Sequence, residues 1–187
     1  MTDYARMIAD LAENGKNQKF LNSSDEHALI VLKNIVKYAT SSIKTLCGNM
    51  CSEVSNDDEY IELVDKYLKG GHNRIFYILF DNYSSCFESG KIASVLKKYP
   101  TQVKIRRFKD EYSHLYYNGD PVHLTVSDNK SFRLETDINN KMAWGNFNDP
   151  IAAKEFTEVF DTYFADEYAL EVSTIFNSNN RLSSLQN

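Results

Sequence analysis

The chain has 187 residues, with 21 Lys and Arg against 26 Asp and Glu, for a formal charge of −5. A chain of this length can bury a core without metal or disulfide, and its acidic balance argues against a protein that coats nucleic acid. A mean hydropathy of −0.47 and a longest apolar run of only Ile75–Phe80 argue against a membrane-spanning helix.

The first segment, TDYARMIADLAEN, predicts a helix over 2–14. Thr2 is its cap, Tyr4, Met7, Ile8 and Leu11 are its apolar stripe, and Gly15 ends it. Residues 1–19 therefore read as an N-terminal helix and linker, with an α/β domain over 20–167 and a tail over 168–187 that has the composition of a disordered segment. Ser23-Ser24-Asp25-Glu26 is a capping box in front of Ala28, Val31, Leu32, Ile35, Val36 and Ala39 at helical spacing. Ser42–Cys47 reads as a strand. Asp57, Asp58 and Glu59 open a further helix with the stripe Tyr60, Ile61, Val64, Tyr67 and Leu68.

Arg74–Phe80 is β-rich and apolar on both faces, as in a strand covered on both sides. A short helix is expected over 90–99, a strand over 102–108, and a hairpin joining Val122–Val126 to Phe132–Leu134. Asp149 caps the last helix, with Pro150 at its first position. The order predicts a mixed β-sheet sandwiched by helices, parallel in its early strands and antiparallel at the hairpin.

The chemistry-bearing residues are few. The three Cys lack the pairing of a zinc site and read as free, inert thiols, which together with the acidic, non-secretory N-terminus places the protein in the cytoplasm. The glycine fingerprints of nucleotide sites are absent, and no cofactor or metal is expected. Asp81 follows the central strand and reads as a turn residue or a contributor to a site beyond the strand end. Lys104, Arg106, Arg107 and Lys109 form the one compact basic group, split between two faces by strand alternation.

Residues 121–149, PVHLTVSDNKSFRLETDINNKMAWGNFND, carry His123, Asp128 and Lys130 around a hairpin, then Arg133, then Gly145-Asn146-Phe147. This stretch, with the order of elements before and after it, resembles one half-domain of the phospholipase D superfamily. The resemblance implies a His nucleophile, a Lys two residues on, an Asp after four more, and a later Gly-Ser/Asn-Phe segment. Here Thr125 stands two residues after His123, and Asp128 lies five residues after it rather than seven. Alternation turns Asp128 away from the face of His123, while Arg133 and Glu135 share a face as an ion pair.

These departures resemble small phospholipase D-like domains that keep the sheet and discard catalysis. They point to a non-catalytic, prokaryotic binding, regulatory or accessory protein, acting as a homodimer or with a protein partner. A phosphorylated ligand would be held by His123, Arg133, Arg106 and Asn146. The rival reading is a phosphodiesterase or nuclease with His123 as nucleophile and Asp128 and Lys130 in support. A third reading is a small-molecule sensor that binds near Asp81.

Overall fold

The structure, a computed structural model, describes residues 2–172. In chain order the elements are α1 (Asp3–Glu13), β1 (Phe20–Asn22), α2 (Asp25–Tyr38), β2 (Ser42–Cys47), α3 (Asp58–Lys69), β3 (Ile75–Phe80), α4 (Ser85–Ser89) and α5 (Lys91–Leu96). There follow β4 (Val103–Phe108), β5 (Leu115–Tyr117), β6 (Asp120–Ser127), β7 (Ser131–Asp137), β8 (Met142–Asn146), α6 (Pro150–Phe164) and β9 (Ala169–Glu171).

The helix starts follow their caps. Thr2, Ser24, Asp57 and Asp149 each accept a hydrogen bond from the backbone N–H three residues on, satisfying a donor the helix leaves open. The helix expected over 90–99 is instead two short ones. Gly90 is extended at their junction (φ −69°, ψ 154°), so α4 stops there and α5 starts again.

The strand order is β1-β8-β7-β6-β2-β3-β4-β9, with β5 added on β6. The pairs β2–β3 and β3–β4 are parallel and the others antiparallel, so the sheet is mixed as expected. Strands β1, β5, β8 and β9 were not legible in the sequence, because each is short and lacks clear alternation. The last of them corrects the expected tail: Ala169–Glu171 pairs with β4, and Val172 N–H donates to Ile105. The rest of that tail, including SNNRLSSLQN, lies outside the described residues.

Two apolar layers hold the sheet. On one face α6 covers Leu46, Leu124 and Leu134 through Phe160. On the other, α3 and α5 cover Ile43, Phe76, Ile78, Val103 and Ile105. Helix α1 is not a detached arm. Its Ile8 and Leu11 are buried with Val31 and Ile35 of α2, Phe20 of β1 and Phe147. Among the described residues no helix is long and apolar enough to cross a membrane.

The expectation of three free thiols is corrected. Cys51 and Cys86 form a disulfide, with Cα atoms 6.0 Å apart across 35 residues of sequence. The parallel pair β2–β3 brings the segments that follow these two strands together, a proximity that Cys spacing alone does not show. Cys47 remains free, and burial pushes its thiol pKa well up, so it is inert.

Gly145 on β8 faces the Phe132 carbonyl oxygen and the Phe20 ring so closely that an added Cβ would overlap both. Gly145→Ala should lower the unfolding free energy by about 1–3 kcal/mol, the usual effect of overpacking. Urea denaturation of both proteins measures it, and an unchanged midpoint at unchanged slope would contradict this packing.

Candidate functional site

Strand alternation builds the site. Leu124 and Leu134 point toward α6, so His123 and Thr125 on β6, and Arg133 and Glu135 on β7, point to the opposite face, beneath α2. The register places Thr45 beside Thr125, Thr125 beside Arg133, and His123 beside Glu135. The result is a polar row within an otherwise apolar layer. It forms the floor of a cleft of about 220 Å³, walled by α2 and by the loop after β2.

His123 is the centre of this row. Its Nδ1 lies 2.9 Å from Glu135 Oε2, and its Nε2 lies 3.2 Å from Asp81 Oδ2. Asp81 follows β3, and its carboxylate also meets His114 Nδ1 at 3.1 Å. Glu135 uses its other oxygen on Arg133 Nη2 at 3.0 Å, and Arg133 Nε donates to Asn22 Oδ1 at 2.8 Å. Asn22 in turn donates to the Lys141 carbonyl at 3.0 Å. The side chains of Asp81, Arg133 and Glu135 are 4%, 7% and 9% exposed, and that of His123 is 18% exposed.

Electrostatics follow from this geometry. Burial alone would pull the His123 pKa down. The hydrogen bonds and charges of Asp81 and Glu135 outweigh it and raise the pKa to about 9. Burial would raise the Glu135 pKa, but His123 and Arg133 hold it below the usual carboxylate range. At neutral pH the ring is therefore an imidazolium that donates both N–H groups. In that state it has no lone pair with which to attack phosphorus.

The other sequence candidates lie elsewhere. Asp128 sits in the β6–β7 turn with φ 55° and accepts from the backbone N–H groups of Thr40, Ser41 and Ser42 at 2.7, 2.9 and 2.9 Å. Burial opposes its ionised form, but these donors win and lower its pKa. It ties the turn to the start of β2. Lys130 is exposed on the same turn, away from His123. Arg106 donates to the Phe164 carbonyl and pairs with Asp166, each at 2.6 Å. The Asn146 amide donates to Asn17 at 2.7 Å.

Of the candidates, then, only His123 and Arg133 share the cleft, joined through Glu135. Among the described residues no group of three His, Cys, Asp or Glu side chains is placed to hold a metal ion. Three participants were not foreseen in their roles. Asp81 reads from the sequence as a turn residue or site contributor without a partner, Thr45 falls within a predicted strand, and nothing local marks His114. The signal for Asp81 was its place beyond a parallel strand, but only the fold supplies the two imidazoles.

A raised folded-state pKa means that His123 adds stability fully below its unfolded value of about 6.5, and that this is lost as pH rises through about 9. Imidazole resonances should show His123 still protonated at pH 8. The stability gap between wild type and His123→Gln, of order 2–3 kcal/mol near pH 6 by that linkage, should close by pH 10. A titration midpoint for His123 near 6.5 would break the argument.

No protein-family model matches the chain, and no curated protein sequence matches it. Solved structures do. A phospholipase D family member, Nuc from Salmonella typhimurium, superposes with a TM-score of 0.55 at 11% identity, covering 84% of this chain and 99% of that one. NucT from Helicobacter pylori gives 0.57 at 12% identity, over 84% and 100%. TrmBL2, an archaeal chromatin protein, gives 0.61 at 12% identity, covering 86% of this chain and 55% of that one. Identities this low speak to the fold alone, and together with the mixed sheet they show that this chain has the phospholipase D-like fold.

Proposed function

We propose that this chain is a non-catalytic phospholipase D-like domain that works by binding, as a regulatory or accessory protein. The observation that carries this reading is the clamp on His123. A nucleophile needs a free ring nitrogen aimed at the substrate, yet Nδ1 meets Glu135 and Nε2 meets Asp81. The resemblance implies a Lys two residues after the His to neutralise phosphate, and that place on the cleft floor is taken by the short, neutral Thr125. Arg133 is the nearest substitute, but Glu135 already compensates its charge. The likeness to TrmBL2, a chromatin protein rather than a named enzyme, supports a use of this fold in binding. Pairing with a second copy belongs to this reading through the resemblance, and light scattering measures it.

A phosphodiesterase is the second reading. It draws on Glu135, which could orient His123 as carboxylates orient catalytic imidazoles, and on the likeness to Nuc. The two readings separate in one assay. Wild type and His123→Ala are each incubated with bis(4-nitrophenyl) phosphate and with plasmid DNA, between pH 6 and 10. The binding reading expects equal background rates. Product release by wild type that disappears in His123→Ala would overturn it.

A further inference from the structure

The charge balance of the cleft says what it can hold. Its cations are His123, Arg133 and Lys141. Its anions are Glu135 on the floor, Asp25 at the mouth, and Asp81 directly behind His123. The two sets are equal in number, with Glu135 shared by His123 and Arg133, and Asp81 shared by His123 and His114. His123 and Arg133 are paired within 3.2 Å, and Lys141 lies 3.8 Å from Asp25. A phosphate would find no uncompensated cation, and would have to approach Glu135 and Asp25. Like charges brought together at a desolvated site are strongly disfavoured.

The remaining features are neutral and polar. Thr45 and Thr125 are 5% and 7% exposed and bond to each other through their hydroxyls at 2.8 Å, on the floor beside Arg133. The Arg133 guanidinium has five N–H donors, of which Glu135 and Asn22 are met by one each. Opposite this polar floor, Leu32, Met50 and Val54 form an apolar wall. A cleft of about 220 Å³ is smaller than the roughly 300–1,000 Å³ of drug-sized sites.

Resting on the binding reading above, we propose that this cleft takes an uncharged small molecule rich in hydroxyl or amide groups, of the size of a free sugar or a nucleoside, and discriminates against its phosphate ester. The ligand's acceptors face Arg133 and Thr125, and its less polar side faces Leu32 and Met50. Negative charge on the ligand is rejected because the protein's own carboxylates already occupy its cations.

The test measures binding to the full chain by calorimetry and thermal shift. Probes are ribose, glucose, uridine and adenosine, each beside its monophosphate, with inorganic phosphate alone as a further arm. The expected result is binding of at least one uncharged probe, with its ester weaker by about tenfold or more. Which of the four binds separates sugar from nucleoside. Thr125→Val should weaken the uncharged probe by about tenfold, as loss of a hydrogen-bonding partner does. Asp25→Asn, at an exposed position that leaves the fold intact, should narrow the gap between parent and ester. Tighter binding of an ester or of inorganic phosphate, or no binding of any uncharged probe, would overturn the proposal. Turnover of a phosphodiester would instead overturn the non-catalytic reading, so the two failures are distinct.

Discussion

A charged imidazole inside a protein must be compensated on both nitrogens, and much of this sheet is arranged around that requirement. His123 lies on β6, one carboxylate comes from β7, and the other follows β3. The second carboxylate then shares itself with His114, and the first with Arg133, which is held by Asn22 on β1. The bonds link seven residues, from His114 to the Lys141 carbonyl, drawn from positions 22 to 141 of the sequence. Removing one member would leave a buried charge without its partner, which typically costs several kcal/mol.

The same row specifies the register of the hairpin. With β6 held by β2, a slip of β7 by one residue would turn Leu134 into the polar layer, and Arg133 and Glu135 into the layer beneath Phe160. Neither exchange is tolerable, because it would bury charge against apolar side chains and take Glu135 away from His123. Asp128 adds a second lock at the other end of the hairpin, where it gathers the amides that start β2. The pairing of His123 with Asp81 and Glu135 is thus also a structural device, whatever chemistry the imidazole takes part in.

The fold was legible in the sequence where local rules act alone. The capped helices α1, α2, α3 and α6, the parallel strands β2 to β4, and the hairpin all follow from caps and periodicity. Gly90 escaped notice because its extended conformation depends on tertiary fit, and β8 and β9 because three to five residues hold too little pattern. Within the site, alternation put Arg133 and Glu135 on one face and separated Asp128 from His123. It could not say that Asp81 reaches His123, since that needs the parallel crossover from β2 to β3. The Cys51–Cys86 pair was hidden for the same reason: each cysteine follows one of those neighbouring strands.

The two sides of the cleft are held by different physics, and this bears on the proposed binding function. The floor is a buried network in which every link depends on the next, so it cannot yield locally. The loop wall is held by a disulfide and by hydrogen bonds within the loop. Cys51 anchors it to Cys86, and the Asn56 amide donates to the Met50 and Ser52 carbonyls at 3.2 and 3.0 Å. Tyr60 of α3, buried in the core over the sheet, also lines the cleft. Met50 holds a positive φ of 51°, a conformation a side chain seldom adopts, at the point where the loop bends over the cleft. Under the proposed binding function, the floor supplies the selective contacts and the loop borders the way in, two parts with separate hydrogen-bond sets.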